Sequence, residues 1–180
     1  MSNFPSKVAI VTGAGGNLGR AVALAFAEQG ARLALVDRNP NALSATQEKL
    51  PAGSDSLTPP TDPMRPESVA DMVPRELGRF GQLDILANIA GGFAMGPPLH
   101  ETEDHDWDFM LDLNARTVFN CCRAVIPHML DRGDGRIVNV SARAAREGKA
   151  HMAPYCASKA AVITLTESLA AEHKHNNINV

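Results

Sequence analysis

TGAGGNLGR, at residues 12–20, is a glycine-rich turn between a run of apolar residues and a helical pattern. A turn of this kind exposes backbone N–H groups, and the N-terminus of the following helix adds partial positive charge, so that the two together bind a pyrophosphate. A glycine-rich turn alone is a weak signal. The strand predicted before it and the helix predicted after it supply the context that a dinucleotide-binding unit requires.

An acidic residue, Asp37, follows the turn at the end of the next apolar run. The dinucleotide-binding pattern places an acid about 20 residues after the turn, where its carboxylate accepts hydrogen bonds from the ribose hydroxyls of adenosine. A carboxylate there also repels a 2′-phosphate, which favours NAD over NADP, although the neighbouring Arg38 weakens this preference. The alternative interpretation is that the glycines only make a tight turn and that Asp37 caps a loop.

The rest of the chain alternates short apolar runs with helical patterns. The apolar runs predict four buried strands, VAIVTG (8–13), ARLALVD (31–37), LDILAN (83–88) and GRIVNVS (135–141). A weaker candidate, SDSLTPPTD (54–62), contains two prolines and therefore belongs at an edge of the sheet. This alternation predicts an α/β fold, a three-layer, doubly wound parallel sheet of the Rossmann type, in a single domain over residues 1–180.

The spacing of apolar residues predicts two buried helical faces. The first consists of Leu18, Ala21, Val22, Ala25 and Phe26, and the second of Trp107, Met110, Leu111, Val118, Cys121 and Cys122. Asn114 occupies the slot between Leu111 and Val118 on the second face. A buried amide must find hydrogen-bond partners or cost about 1–3 kcal/mol. Asn114 is therefore either a satisfied core residue or a functional one.

Composition excludes several classes of protein. The 180 residues carry a net charge of −3, with 44% hydrophobic and 21% charged residues, which is typical of a globular protein without a general attraction to nucleic acid or to an anionic membrane. No apolar run reaches the roughly 18 residues of a membrane span, and the start of the chain has no signal-peptide pattern. The three cysteines indicate packing in a reducing cytoplasm, and the six histidines lack metal-ligand spacing, so we expect a cytoplasmic protein without a metal site.

YCASK, at residues 155–159, places Tyr155 and Lys159 on one face of a helix whose first turn accommodates Pro154. A free tyrosine is a poor acid–base group at neutral pH. A lysine ammonium about 4 Å away favours a phenolate by roughly 4 kcal/mol at a dielectric constant near 20, which brings a tyrosine into useful range. The pair is a candidate for acid–base chemistry, and the alternative is an exposed pair on a solvated helix.

The chain resembles the short-chain dehydrogenase/reductase family over essentially its whole length. TGAGGNLG is similar to the family fingerprint T-G-x-x-x-G-x-G, with Gly13 and Gly19 at the outer glycine positions and Asn17 at the middle one. Asparagine tolerates a positive φ better than other non-glycine residues, so the turn can survive this change. The resemblance implies that the turn binds the cofactor through Gly13, Gly15, Asn17, Leu18 and Gly19.

A second motif carries the same resemblance. LDILANIAGG is similar to the family's N-N-A-G segment, with matches at Asn88, Ala90 and Gly91 and a difference at Ile89. The likeness implies that this segment stabilises the sheet and passes beside the cofactor ribose. Asp62 falls where the family places an acid near the adenine.

The resemblance also implies roles for the reacting groups. LDLNARTVF is similar to the family helix whose asparagine holds a water between the active-site lysine and solvent, which gives Asn114 that role. Tyr155 would exchange a proton with the carbinol oxygen while the nicotinamide exchanges hydride, and Lys159 would also hold the nicotinamide ribose. The implied function is that of an oxidoreductase acting on a small-molecule alcohol or carbonyl, with NAD as cofactor and Tyr155, Lys159 and Asn114 as catalytic residues.

The family's serine is absent from its usual place. That position, 13 residues before the tyrosine, holds Ala142, and Ser141 lies one residue earlier. Adjacent side chains on a strand point to opposite faces, so Ser141 can substitute only if the chain has already left the strand. Without the serine, polarisation of a ketone should weaken. Two alternatives therefore stay open: an enzyme similar to dihydropteridine reductase, a branch that lacks the serine and that ARAAREGKAHMAPY (142–155) resembles, and a protein that senses NAD(H) without turnover.

NNINV, at residues 176–180, falls where the family's sixth strand begins. Family members continue through that strand, a substrate-binding loop and helix, and a final strand. We therefore expect a C-terminally truncated fold whose fifth strand is a bare edge. The resemblance further implies a homodimer or homotetramer, formed through long helices near residues 103–130 and 155–173.

Overall fold

The computed structural model describes residues 4–180 and contains a six-stranded, wholly parallel sheet. The strands are β1 (Val8–Thr12), β2 (Arg32–Val36), β3 (Ser56–Leu57), β4 (Ile85–Asn88), β5 (Gly135–Asn139) and β6 (Ile178–Asn179). Their order across the sheet is β3-β2-β1-β4-β5-β6. The strand order reverses between β1 and β4, which confirms the predicted doubly wound α/β fold.

Both edges of the sheet are formed by two-residue strands. The proline-containing segment contributes β3, which pairs with β2 at one edge, as predicted. At the other edge, Gly135 of β5 is in register with Ile178 of β6, and Arg136 with Asn179. The expectation of a bare fifth strand is therefore wrong for these two residues, because the NNINV segment already lies in the sheet.

Helices cover both faces of the sheet, which confirms the three layers. They are α1 (Asn17–Glu28), α2 (Pro40–Gln47), α3 (Pro66–Phe80), α4 (Asp104–Leu111), α5 (Thr117–Arg132) and α6 (Ala153–His173). One core joins Ile10 of β1 to apolar residues of α3, α5 and α6. The opposite core joins Val11, the next residue of β1, to apolar residues of α1 and α2. Alternate side chains of β1 thus enter different layers.

The predicted buried face of α1 is wrong at three positions. Leu18, Ala21 and Ala25 are exposed, and Val22 and Phe26 are partly buried. The buried residues of α1 are Gly19 and Ala23. A Cβ at Gly19 would lie 2.1 Å from the carbonyl oxygen of Gly13, so only a glycine lets the helix approach the turn this closely. This close approach, and not the largest apolar side chains, determines which face of α1 meets the sheet.

A π turn over Asp112–Arg116 joins α4 to α5 in one helical run. Of the predicted second face, Met110, Val118, Cys121 and Cys122 are buried, Leu111 is partly buried and Trp107 is exposed. A π turn holds more residues than an α-helical turn, so the apolar spacing of α5 does not continue in phase into α4. Trp107 therefore lies off the buried face. Asn114, within the π turn, is completely buried, as predicted.

Asp84, directly before β4, links the start of β1 to the end of α5. Its side chain is 2% exposed, and one carboxylate oxygen accepts the backbone N–H of Val8, which begins β1, at 2.8 Å. The other oxygen lies 3.0 Å from the ammonium of Lys7 and 3.3 Å from the guanidinium of Arg132, at the end of α5. The hydrogen bond to Asp84 is the main reason that the pKa of Lys7 is raised.

The adjacent cysteines of α5 are both buried in the core against the sheet. Burial raises the pKa of both thiols, to about 12 for Cys122. Both side chains therefore remain neutral packing residues at physiological pH. Within residues 4–180, none of the helices combines the length and the apolar character needed to cross a bilayer.

Candidate functional site

A cleft of about 380 Å³ opens at the carboxyl end of the sheet, around the point where the strand order reverses. This is where doubly wound folds bind their ligands. The predicted cofactor-binding residues that line the cleft are Gly13, Asn17, Leu18, Gly19, Asp37, Asp62, Ala90 and Gly91. The predicted cofactor-binding residues that do not line the cleft are Gly15, Asn88, Tyr155 and Lys159.

The glycine-rich turn forms the floor of the cleft. Gly13 has a φ of +65°, a conformation that favours glycine, and its carbonyl oxygen accepts the N–H of Gly16 at 3.0 Å. Asn17 is the first residue of α1 and does not have a positive φ. The replacement of the family's middle glycine therefore requires no unusual backbone at Asn17. The exposed first turn of α1 faces the cleft, which is the arrangement that binds a phosphate.

Asp37 is held at the far end of the cleft by backbone N–H groups. Its two carboxylate oxygens accept from Gly15 at 3.1 Å and from Asn39 at 3.0 Å. A Cβ at Gly15 would lie 2.6 Å from the Cβ of Ala42 and 3.0 Å from the Asp37 carboxylate. A side chain at position 15 would therefore crowd the Asp37 carboxylate. Arg38 lines the cleft next to Asp37.

Asp62 lines the same end of the cleft and shapes its own loop. Its carboxylate accepts the N–H of Met64 at 3.0 Å. The amide of Asn120, on α5, donates to the carbonyl oxygens of Pro63 and Met64 at 3.0 and 3.3 Å. Asn120 was not predicted as a site residue, and it fixes this loop through hydrogen bonds to residues 57 and 56 positions away in the chain.

The segment after β4 forms the opposite wall. The hydroxyl of Thr12 accepts the N–H groups of Ile89 and Ala90, both at 3.0 Å, and so joins this wall to the glycine-rich turn. Asn88 is buried and turns away from the cleft, donating to the Asn139 side chain of β5 at 2.8 Å. Asn88 therefore ties β4 to β5. Thr12 was not predicted as a site residue, although a buried threonine directly before the turn was a usable signal.

Asn114 fixes the end of this wall. Its Oδ1 accepts the N–H of Gly92 at 3.1 Å, and its Nδ2 donates to the Gly92 carbonyl oxygen at 3.1 Å. The same Nδ2 lies 3.2 Å from the carbonyl oxygen of Met110 and 3.2 Å from the hydroxyl of Ser158. The side chain is therefore fully satisfied, and it connects the wall of the cleft with α6. Ser158 is a second polar residue of this site that the sequence did not single out.

Lys159 lies directly behind the wall. Its side chain is 5% exposed, and its ammonium donates to the carbonyl oxygen of Val140 at 3.0 Å. A Cβ at Gly91 would lie 3.1 Å from Nζ of Lys159, so only a glycine in the wall leaves the ammonium next to the cleft. Burial lowers the pKa of Lys159 from its ordinary value of 10.5.

Tyr155 lies one turn before Lys159, in the first turn of α6. The residue is partly buried, and its ring meets the ring of Phe93 edge to face, with 5.0 Å between centroids. Among residues 4–180, no group forms a hydrogen bond with the Tyr155 hydroxyl. The hydroxyl is thus available to a ligand, while the backbone carbonyl of Tyr155 accepts from Ser158 at 2.8 Å.

The structure gives Ser141 a partner other than a substrate. β5 ends at Asn139, so the chain has left the strand before Ser141. The Ser141 hydroxyl donates to the carbonyl oxygen of Lys159 at 2.7 Å. Ala142 follows in an extended conformation, with φ −150° and ψ 158°. Ser141 therefore holds α6, and the position of the family's serine carries only a methyl group.

These residues fit a nicotinamide dinucleotide. The close packing at Gly13 and Gly19 leaves backbone N–H groups and the N-terminus of α1 for a pyrophosphate. Asp37 lies at one end of the cleft, and the Lys159 ammonium lies behind its wall at Gly91.

Known proteins resemble this chain over nearly its whole length. The chain is 36% identical over 173 residues to 2,3-dihydro-2,3-dihydroxybenzoate dehydrogenase of Bacillus subtilis, covering 96% of this chain and 66% of the relative. NAD⁺-bound xylitol dehydrogenase has a TM-score of 0.93 and 36% identity, covering 99% of this chain and 69% of that one. A metagenomic short-chain oxidoreductase in complex with NADP has a TM-score of 0.92 and 31% identity, covering 97% and 80%.

The chain thus spans about two thirds of the length of the curated relative and somewhat more of the two solved proteins. The family model described as short chain dehydrogenase matches residues 7–180. This match takes in every strand, the glycine-rich turn, Asn114 and the Tyr155–Lys159 helix. The protein therefore belongs to the short-chain dehydrogenase family.

Proposed function

We propose that this protein is an NAD-dependent oxidoreductase that interconverts an alcohol and a carbonyl, with Tyr155 as the acid–base group. One observation carries the proposal. The buried ammonium of Lys159 lies behind Gly91 in the wall of the cleft, one helical turn from a tyrosine whose hydroxyl has no partner within residues 4–180. A tyrosine and a lysine in these positions can transfer a proton to or from a substrate at the nicotinamide end of a bound dinucleotide.

The cofactor preference rests on Asp37. A bound nicotinamide cofactor supplies the hydride exchange, and the residues that would hold it are those of the glycine-rich turn, Asp37, Asp62, Ala90 and Gly91. The Asp37 carboxylate accepts two backbone N–H groups, which hold it in place at this end of the cleft. A fixed negative charge at this end of the cleft favours NAD over NADP, against the opposing charge of Arg38.

The chain's own residues would divide the proton chemistry among them. Tyr155 gives a proton to the carbonyl oxygen in reduction and takes it back in oxidation. Lys159, one helical turn away with a buried ammonium, is the cationic partner that we propose for Tyr155. Asn114 keeps Gly92 and the wall in place through its paired hydrogen bonds, and we retain for it the role of holding a water near Lys159.

Replacement of Tyr155 by phenylalanine tests the function. Tyr155→Phe should lower kcat by about 10²–10⁴-fold, because the proton donor is lost. NADH should still bind with the wild-type Kd, since the cofactor contacts are untouched. The measurements are NADH and NADPH titrations by fluorescence, followed by turnover of a carbonyl panel. If the wild type binds NADH but turns over no carbonyl, the proposed oxidoreductase activity is contradicted. That result would favour a protein that senses NAD(H) without turnover.

Ala142 favours a second candidate function, an enzyme similar to dihydropteridine reductase. The methyl group at the family's serine position offers no hydrogen bond to a ketone oxygen. A quinonoid pterin would then be a better substrate than a simple ketone. Turnover of the pterin with no turnover of the ketone panel would select this candidate over the first.

We also propose that the protein works as a cytoplasmic homo-oligomer. An apolar groove of about 310 Å³ lies between α5 and α6 and includes Phe119, Ile126 and Leu165. The Phe119 side chain is 42% exposed, so the groove presents an apolar surface that we propose a second copy covers. Sedimentation equilibrium should give a dimer or tetramer, and a strictly monomeric mass would contradict this proposal.

A further inference from the structure

Phe93 is a large apolar side chain that touches the proposed acid–base residue and yet remains open to solvent. Its ring meets that of Tyr155 edge to face, at an interplanar angle of 81°. At the same time the Phe93 side chain is 56% exposed. The remaining surface of Phe93 is therefore open to solvent beside the Tyr155 ring. An exposed aromatic surface beside a reacting group is a candidate for contact with a ligand.

The backbone on both sides of Phe93 is fixed. On one side, both polar backbone groups of Gly92 are bonded to the Asn114 side chain, each at 3.1 Å. On the other side, the N–H of Gly96 donates to the carbonyl oxygen of His151 at 2.9 Å. A Cβ at Gly92 would lie 2.6 Å from the Leu113 side chain, so the backbone of Gly92 packs closely against the π turn between α4 and α5. Phe93 is thus presented from a preorganised backbone, which lowers the cost of binding a ligand against it.

The family's serine position offers no free hydroxyl to a substrate that reacts at Tyr155. Ser141, the nearest hydroxyl in the chain to the family's serine position, is committed to the carbonyl oxygen of Lys159. Ala142 adds only a methyl group. Phe93 is the residue whose ring contacts Tyr155. Recognition of the part of the substrate next to its reacting oxygen would therefore depend on apolar contact more than on hydrogen bonds.

We propose that Phe93 forms an apolar wall of the substrate site, and that the substrate carries a ring or another flat apolar group next to the carbon that reacts at Tyr155. This inference rests on the proposed function, since it concerns the substrate of the same site. Aromatic rings favour edge-to-face and offset contacts, so a planar group can pack on the exposed part of Phe93 while its oxygen reaches Tyr155. A small aliphatic ketone would leave this surface in water.

Matched ketones and matched variants test the proposal. Acetophenone and butanone present the same methyl ketone with and without a ring, and kcat/KM is measured for each in the full chain with saturating NADH. The wild type should prefer acetophenone by at least about ten-fold, and Phe93→Ala should lose most of that preference. Met95→Ala is the control, because Met95 lies in the same segment with 64% exposure and has no ring contact with Tyr155. It should keep the preference.

The outcomes separate this proposal from the proposed function. If the wild type turns over neither ketone, binding of 1-phenylethanol and 2-butanol to the NADH complex by calorimetry gives the same comparison without catalysis. A loss of kcat in Phe93→Ala that is equal for both ketones would overturn the proposal, because it would mean that Phe93 only orients Tyr155. A wild type that discriminates neither in turnover nor in binding would overturn it as well. Selective binding without turnover would support Phe93 while contradicting the oxidoreductase.

Discussion

The family's serine position is occupied by Ala142 in this chain, and the serine lies one residue earlier, at Ser141. Ser141 donates to the backbone of Lys159 and so helps to hold α6 against the end of β5. Ala142, in the position from which the family's serine would reach the substrate, has no donor. Mutation of each residue can therefore separate the structural role of Ser141 from the chemical role of the position that Ala142 occupies.

Ala142→Ser should raise kcat/KM for a ketone by roughly ten-fold, because a hydroxyl donor at the reacting oxygen is worth up to a few kcal/mol. Ser141→Ala should instead lower the free energy of unfolding by about 1 kcal/mol, the usual value of a hydrogen bond, with little change in ketone selectivity. Steady-state kinetics and urea unfolding of both variants check the pair. A gain of activity in neither variant, together with a large loss in Ser141→Ala, would mean that Ser141 itself serves the substrate.

The sequence allowed the positions of the reacting groups to be predicted, but not their partners. Tyr155 and Lys159 were identified because helical spacing alone puts them on one face. The contact of Lys159 with Val140 and the pairing of Asn114 with Gly92 join residues 19 and 22 apart in the chain, and no local pattern encodes them. The burial of Asn114 could be predicted because its neighbours on the helix are apolar.

Helix α3 contains a buried carboxyl group that has no hydrogen-bond partner among residues 4–180. Glu76 has 0% exposure, and both of its carboxyl oxygens are unpaired. Burial raises its pKa from 4.5 to about 7, and the charge of Arg75 opposes this only in part. At the scale of the element, the attachment of α3 to the sheet should therefore depend on pH.

Below about pH 4.5, Glu76 is protonated in both the folded and the unfolded chain, so its burial costs no charge. As the pH rises from 4.5 to about 7, the unfolded chain loses the proton while the folded chain keeps it. The free energy of unfolding should therefore fall across this window, by up to about 3 kcal/mol. Glu76→Gln lacks this titration, and urea unfolding should find it more stable than the wild type above pH 7 by about that amount.

The exposed Glu67→Gln, on the same helix, is the control and should leave the pH dependence unchanged, since the Glu67 side chain is 68% exposed. An equal pH dependence of stability in Glu76→Gln and the wild type would contradict the role of Glu76. The opposite slope, with stability rising from pH 4.5 to 7, would indicate a partner that stabilises the charged form.

Sequence patterns predicted the bounds of the strands better than they predicted the buried faces of the helices. The bounds of the strands were predicted to within a few residues, because turn residues follow the apolar runs. β1, β2 and β4 are buried almost throughout, as predicted, but the prediction of a buried strand is wrong for β5, which exposes Arg136 and Val138 on one face. The face of α1 was predicted wrongly, because the pattern counts large apolar side chains whereas the close approach of Gly19 to Gly13 orients the helix. The π turn was missed because helical spacing assumes one unbroken period.

At the scale of the whole molecule, Asp84 is the point where β1, β4 and α5 meet. Asp84→Ala should lower the free energy of unfolding by about 2–4 kcal/mol, because the buried N–H of Val8 loses its acceptor and two cations lose their shared partner. Thermal and urea unfolding measure this loss. Asp134→Ala is the matched control, since Asp134 also pairs with Lys7 but is 31% exposed, and it should cost less than about 1 kcal/mol.

Equal losses in Asp84→Ala and Asp134→Ala would contradict this assignment, because they would mean that the pairing with Lys7 alone matters. Cofactor binding gives an independent readout. The Asp84 cluster lies at the opposite end of the strands from the cleft, so the Kd of NADH should stay the same in folded Asp84→Ala.

The π turn over Asp112–Arg116 holds one residue more than a regular α-helical connection between α4 and α5 would need. Removing one residue there would let α4 and α5 join as a regular α-helix with little change in their relative orientation, because the π turn already absorbs the extra residue. A deletion of Asn114 itself would therefore leave the apolar face of α5 on the sheet and remove only the hydrogen bonds that hold Gly92 in the wall of the cleft.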